Sequence, residues 1–122
     1  MSSTFFMQEA IKEALKADHN KVYPNPLVGC VIVKDNMIIA RGYHKEFGTN
    51  HAEVNAIESL GVPVSNADLY VTLEPCAHFG KNPPCVNAII ESKMFKKVII
   101  ASHDPNEKAM GGIELLKNAG IE

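Results

Sequence analysis

The fold is decided by residues 28–40, VGCVIVKDNMIIA, in which two β-rich runs flank a polar turn. The runs at 28–33 and 37–40 are dominated by valine and isoleucine, whose branched side chains favour strands. Between them, Lys34, Asp35 and Asn36 are polar, and Asp and Asn are residues that turns prefer. The pattern predicts an antiparallel β-hairpin.

Helices and strands alternate on both sides of this hairpin. Before it, apolar residues recur at helical spacing and predict a helix that begins after Ser2, Ser3 or Thr4 and ends near Ala17. The apolar positions of this helix are Phe6, Met7, Ala10, Ile11, Ala14 and Leu15. Further helices are predicted at 51–60, closed by Gly61, at 84–94 and at 113–119, with strands at 69–73 and 97–101.

Strands that alternate with helices in the second half favour parallel pairs joined by right-handed crossovers. Together with the antiparallel hairpin, this predicts an α/β fold of three layers, in which a mixed sheet carries helices on both faces.

Composition limits the classes of function that need to be considered. The chain has 122 residues, enough for one domain, and its 46% hydrophobic and 21% charged residues are typical of a globular protein. We expect a cytoplasmic protein, because the start of the chain lacks a secretory pattern and no apolar run approaches the length of a membrane span. The net charge is −2 with both signs mixed, so neither nucleic acid nor a membrane is a predicted partner.

Two cysteines and a histidine form a candidate metal site. His51 begins a predicted helix, Cys76 follows a predicted strand, and Cys85 comes nine positions later near the start of another helix. A helix N-terminus lowers the pKa of a thiol toward the thiolate that a metal requires. One imidazole and two thiolates suit zinc, and three protein ligands leave the fourth position to water, as in catalytic sites.

Glu53 lies two residues after His51 and supplies the acid–base group that such a site needs. Zinc lowers the pKa of a bound water toward neutrality, and a neighbouring carboxylate can accept the water proton and deliver it to a substrate. The arrangement of His51, Glu53 and the Pro75-Cys76 pair is typical of zinc deaminases. We therefore predict a zinc-dependent deaminase with Glu53 as its catalytic residue.

Several longer motifs resemble the deaminase domain of bacterial riboflavin biosynthesis, a member of the cytidine deaminase-like superfamily. The motifs are PNPLVGC at 24–30, GYH at 42–44, HAE at 51–53 and TLEPCAHFGKNPPC at 72–85. The resemblance implies hydrolytic deamination of 2,5-diamino-6-ribosylamino-4(3H)-pyrimidinone 5′-phosphate to 5-amino-6-(5-phosphoribosylamino)uracil and ammonia.

The resemblance also implies roles for individual residues. Asn25 and His44 would contact the pyrimidine ring. Around the mouth of the pocket, toward the ribose phosphate, would lie His78, Lys81, Asp104 and Asn106. Cys30, flanked by apolar strand residues, is expected in the core rather than at the metal.

Members of this family usually continue into a separate reductase domain that uses NADPH. We expect residues 1–122 to form the deaminase domain alone, with the reductase domain absent from this chain. Homo-oligomers are common among enzymes of this fold, so a homo-oligomer is expected.

Three alternatives remain open from the residues alone. The same fold and metal serve deaminases of tRNA or of free nucleosides, although the former usually have a basic surface and a shorter spacing between the cysteines. A structural zinc module would need a fourth protein ligand, such as His44, His78 or Cys30. A degenerate partner of an active deaminase is disfavoured, because His51, Glu53, Cys76 and Cys85 are all present.

Overall fold

The computed structural model describes residues 3–22, 27–45, 51–72 and 85–101, with the backbone alone at residues 3, 19, 22 and 85–87. The predicted helix at 113–119 lies outside these residues. The elements are, in chain order, α1 (Ser3–Ala14), α2 (His19–Val22), β1 (Gly29–Lys34), β2 (Met37–Tyr43), α3 (Ala52–Leu60), β3 (Ala67–Val71), α4 (Cys85–Ser92) and β4 (Phe95–Ile100).

The predicted hairpin is confirmed. β1 and β2 pair antiparallel around a two-residue turn in which Asp35 and Asn36 have φ angles of 52° and 64°. Two consecutive positive φ angles match the right-handed twist of the strands, and Asp and Asn tolerate this conformation. β2 continues to Tyr43, beyond the predicted end of the strand, and its last residue lies opposite Gly29.

The sheet is mixed, as predicted, with the strand order β2-β1-β3-β4. β1 runs antiparallel to both β2 and β3, whereas β3 and β4 are parallel. β2 and β3 therefore run in the same direction. The helices that follow them, α3 and α4, begin at the sheet edge where β2 and β3 end.

Helices cover both faces of the sheet, which confirms the three layers. On one face, Phe6 and Ala10 of α1 pack with side chains of β1 and β3. On the other face, Ala52 and Ala56 of α3 and Ile89 of α4 share a larger core with the strands. Among the residues that the structure describes, no helix is long and apolar enough to cross a membrane.

The apolar face predicted for α1 was partly wrong. Ile11 is 44% exposed and Leu15 is 69% exposed. Ile11 follows the buried Ala10, so it is rotated by about 100° away from the sheet, and Leu15 lies beyond the end of the helix at Ala14. The buried apolar residues of α1 are Phe6, Ala10 and Ala14.

Several element boundaries also differ from the prediction. β3 and β4 each begin two residues earlier than expected, and α4 ends at Ser92 rather than at residue 94. Asn66 and Lys93, just before these strands, adopt left-handed conformations with φ near 56° and 57°. The short helix α2 was not predicted, and Asp18 begins it by accepting a hydrogen bond from the backbone N–H of Asn20 at 2.9 Å.

Candidate active site

His51 occupies the position immediately before α3. Its backbone is extended, with φ −76° and ψ 172°, and its carbonyl accepts a hydrogen bond from the N–H of Asn55 at 3.0 Å. The imidazole, which is partly buried, forms no capping hydrogen bond with the helix. The residue is therefore fixed through its backbone, and the start of α3 sets the position of its ring.

Glu53 lies in the first turn of α3 and is only 3% exposed. Carboxylates are rarely buried to this extent without a specific role or partner. The N-terminus of a helix stabilises negative charge within its first turn. The fold thus places a carboxylate inside the protein two residues from His51.

His44 is a buried histidine at the same edge of the sheet as His51. It follows the last residue of β2, is 2% exposed, and donates its backbone N–H to the carbonyl of Val28 at 3.1 Å. Its ring meets the ring of His51 edge to face, with centroids 4.8 Å apart and planes at 87°. Three predicted site residues, His44, His51 and Glu53, are therefore brought together where β2 ends and α3 begins.

Gly42 allows α3 to approach β2 this closely. A Cβ atom at this position would overlap the carbonyl oxygen of Ala52 and the backbone nitrogen of Ala56. Glycine inside a strand often marks such a close approach of backbones. The first turn of α3, which carries Glu53, is consequently packed directly on the strand that leads to His44.

Replacing Gly42 with alanine is expected to lower both stability and activity. Overlap with two backbone atoms must displace α3, at a cost of about 1–3 kcal/mol, and the displacement moves Glu53 and His51. Thermal unfolding and kcat/KM would be measured together. Gly61→Ala is the matched control, because Gly61 ends the same helix at φ 78° in open space, so alanine there costs about 1 kcal/mol and should leave kcat/KM unchanged. Equal kcat/KM in the two variants would contradict the assigned role of Gly42.

Thr72 fixes the point where the chain leaves β3. Its N–H donates to the carbonyl of Gly29 at 3.0 Å, and its Oγ1 accepts the N–H of Gly29 at 3.2 Å. Cys76 comes four residues later, and α4 begins at Cys85. Because α3 and α4 start at the same sheet edge, both flanks of the cysteine-containing segment lie on the side of the fold that carries His51.

Cys30 is confirmed as a core residue. It lies in β1 opposite Gly42 and Val71, is completely buried and is a free thiol. Burial, followed by the negative charges of Glu53 and Glu13, raises the pKa of this thiol well above its ordinary value. Its side chain packs within the core that the strands share with α3, in agreement with its expected place in the core.

The remaining predicted site residues fall outside the described part of the chain: Asn25, Cys76, His78, Lys81, Asp104 and Asn106, together with the side chain of Cys85. Their roles stay predictions. Among the described side chains, no group of three histidines, cysteines or acidic residues converges on a possible metal position. Of the three predicted zinc ligands, His51 alone has a described side chain.

The chemistry of the donor set fits zinc. His51 offers an imidazole that is not used to cap α3, and Cys85 stands at the first residue of α4, where the helix N-terminus favours a thiolate. The buried Glu53 next to His51 favours a catalytic over a structural site, since a closed structural site has no need of a buried acid. His51, Cys76 and Cys85 are the residues that would hold the metal.

Two contributors to this site were missed from the sequence. Asn55 donates its side-chain N–H to the carbonyl of Tyr43 at 2.8 Å, and Thr72 makes the contacts to Gly29 described above. An asparagine inside a helix is a weak signal of such a contact, because it is a poor helix former. A threonine at the end of a strand gives no comparable signal.

A family model described as the cytidine and deoxycytidylate deaminase zinc-binding region matches residues 1–102. Among curated proteins, the diaminohydroxyphosphoribosylamino-pyrimidine deaminase of Buchnera aphidicola from Acyrthosiphon pisum is 49% identical over 122 residues, which cover 99% of this chain and 82% of that protein. The riboflavin biosynthesis protein RibD of Bacillus amyloliquefaciens is 48% identical over 119 residues, covering 97% of this chain and 32% of that protein.

A similar solved structure is the diaminohydroxyphosphoribosylaminopyrimidine deaminase/5-amino-6-(5-phosphoribosylamino)uracil reductase of Thermotoga maritima. It superposes with a TM-score of 0.90 at 50% identity and covers 97% of this chain. This chain spans 34% of that protein, about the same share as of the Bacillus relative. The structural similarity extends over nearly the whole of this chain and confirms the expected fold class.

Proposed function

The chain belongs to the cytidine and deoxycytidylate deaminase family with a zinc-binding region, and we propose that it is the pyrimidine deaminase of riboflavin biosynthesis. Its substrate would be 2,5-diamino-6-ribosylamino-4(3H)-pyrimidinone 5′-phosphate, which it would convert to 5-amino-6-(5-phosphoribosylamino)uracil and ammonia. The names of the Buchnera and Thermotoga proteins support this choice of substrate over cytidine or deoxycytidylate.

The observation that carries the proposal is the buried carboxylate of Glu53 beside His51. A deaminase must take a proton from the attacking water and return it to the substrate, and a positioned carboxylate can do both. Glu53 is 3% exposed on the first turn of the helix that begins after His51. This placement excludes bulk water from the acid and keeps it close to the proposed metal ligand.

The chain's own residues would perform the proton transfers. Zinc held by His51, Cys76 and Cys85 would supply a Lewis acid that lowers the pKa of a coordinated water. Glu53 accepts a proton from the water as the water oxygen bonds to ring carbon 2 of the substrate. Glu53 then passes this proton to the adjacent ring nitrogen. Glu53 then takes the remaining proton from the former water oxygen and gives it to the exocyclic amine; the carbon–nitrogen bond breaks, the amine leaves as ammonia, and the oxygen becomes the carbonyl oxygen.

We assign the binding of the substrate to two groups of residues, one for the pyrimidine ring and one for the ribose phosphate. Asn25 and His44 would orient the pyrimidine, and the buried ring of His44 next to His51 supports its part in this. His78, Lys81, Asp104 and Asn106 would face the ribose phosphate, where the ammonium group of Lys81 offers a positive charge.

The direct test is ammonia release by the purified protein of known zinc content. The ribosylaminopyrimidine phosphate, cytidine, deoxycytidylate and a tRNA anticodon stem-loop would be assayed in parallel. We expect release from the ribosylaminopyrimidine phosphate, with kcat/KM for the others lower by at least about 100-fold, because a site built for one hydrogen-bonding pattern rejects another. Release only from one of the other substrates would keep the chemistry and refute the proposed substrate, and a zinc-loaded protein inactive on all four would refute the enzymatic proposal.

We also propose that the protein is cytoplasmic and forms a homo-oligomer, and that its product is passed to a reductase. In the Thermotoga protein the two activities are named for one chain. Light scattering coupled to size exclusion would measure the oligomeric state. A particle mass equal to that of one chain, 13.3 kDa, would refute the oligomer.

A further inference from the structure

We propose that Asn55 is a positioning residue that fixes His44 against His51, a role that rests on the proposed function of His44 at the substrate. Asn55 lies in the fourth position of α3 and is partly buried. It makes two hydrogen bonds to the segments that carry these histidines. Its side-chain N–H donates to the carbonyl of Tyr43 at 2.8 Å, and its backbone N–H donates to the carbonyl of His51 at 3.0 Å.

The first of these bonds acts on the peptide unit that precedes His44. The carbonyl of that unit, from Tyr43, accepts from Asn55, and its N–H, from His44, donates to the carbonyl of Val28 at 3.1 Å. Both polar groups of one peptide are therefore held, one by α3 and one by the segment that enters β1. With its peptide plane fixed from two sides, the backbone of His44 has little freedom to rotate.

The second bond joins the backbone of Asn55 to His51. It is the first intrahelical hydrogen bond of α3, so the position of Asn55 and the position of His51 change together. Asn55 thereby links the two rings that meet at 4.8 Å. A group that holds a metal ligand and a substrate contact at a fixed separation contributes to catalysis without touching the substrate.

A contact of the same kind, one turn further along α3, provides the matched control. The hydroxyl of Ser59 donates to the carbonyl of Ala56 in its own helix at 2.8 Å and lies 3.4 Å from the carbonyl oxygen of Arg41, so its side chain also reaches a carbonyl of β2. It lies away from both histidines. If Asn55 only held α3 to the sheet, the loss of either side chain would have similar consequences.

The test is a double-mutant cycle between Asn55 and His44, with zinc content measured for every variant. Asn55→Ala and Asn55→Asp both remove the donor, the second without a change of size, and each should lower kcat/KM about tenfold, as expected for one lost hydrogen bond at a site. In the His44→Ala background the same changes should alter kcat/KM less than twofold, because there is no ring left to position. Ser59→Ala should leave kcat/KM within twofold of the unchanged protein.

A second measurement requires no turnover and so separates this inference from the proposed function. The imidazole resonances of His44 in the zinc-loaded protein report its distance and orientation to the His51 ring. They should shift in Asn55→Ala and Asn55→Asp and stay in place in Ser59→Ala. Unchanged resonances would overturn the role of Asn55. A loss of kcat/KM that is equal in the presence and in the absence of the His44 side chain would overturn it as well. A protein that is inactive on the ribosylaminopyrimidine phosphate but shows the shifted resonances would refute only the proposed substrate.

Discussion

Replacing Glu53 with glutamine is expected to lower kcat by roughly 10²–10⁴-fold while zinc remains bound. The amide has nearly the same size as the carboxylate, so the first turn of α3 and the ring of His51 should keep their places. What is lost is the ability to accept a proton from water and to return it to the substrate. The variant should therefore bind the ribosylaminopyrimidine phosphate with a similar affinity and fail at the chemical step.

Glu58→Gln is the matched control for this substitution. Glu58 lies on the same helix, five residues further on, and is exposed to solvent. The same chemical change there should leave kcat and zinc content unaltered. Single-turnover rates, zinc per chain from elemental analysis, and thermal unfolding would be compared for both variants. If Glu53→Gln kept most of its activity with zinc bound, the proton transfer would have to be assigned to another group.

The parts of the fold that local chemistry determines could be predicted from the sequence. The hairpin followed from branched residues on both sides of Lys34, Asp35 and Asn36, and the two residues with positive φ are of types that tolerate it. The helix at 51–60 followed from its apolar spacing and from Gly61, which adopts the expected left-handed conformation. In both cases the deciding interactions lie within a few residues of each other.

The parts that depend on tertiary packing could not be predicted in the same way. Ile11 and Leu15 fit the apolar spacing of α1, but Ile11 faces away from the sheet and Leu15 lies beyond the end of the helix. Asn66 and Lys93 adopt left-handed conformations, which asparagine tolerates and lysine seldom adopts. β3 begins one residue after Asn66 and β4 two residues after Lys93, each earlier than the sequence pattern predicts.

The site shows the same division between local and long-range information. The proximity of Glu53 to His51 follows from their separation of two residues at a helix start. The contact between His44 and His51 depends on the end of β2 meeting α3, and the sequence predicted a place for His44 at the substrate only through resemblance to a family. Asn55 was missed because its partner, the carbonyl of Tyr43, is twelve residues away and belongs to the backbone.

Replacing Cys85 with serine is expected to remove most of the zinc and with it the activity. A serine hydroxyl stays protonated at neutral pH, whereas a thiol at the first residue of α4 is favoured as a thiolate, the form that binds zinc. With one ligand lost, zinc per chain should fall from about one to near zero after dialysis against a chelator. Activity should fall by more than about 100-fold, and the thermal unfolding temperature should no longer rise on addition of zinc.

Cys30→Ala is the control for Cys85→Ser, because it removes a cysteine that is not a predicted zinc ligand. Cys30 is buried in β1 within the core that the strands share with α3, so its replacement should cost about 1 kcal/mol of stability and leave zinc per chain unchanged. Elemental analysis of the two variants prepared side by side gives the comparison. A Cys85→Ser protein that kept its zinc through dialysis would remove Cys85 from the ligand set, and a Cys30→Ala protein that lost its zinc would place Cys30 in it. The buried position of Cys30 opposite Gly42, in the core that α3 covers, is the structural reason for expecting Cys30 to lie outside the ligand set.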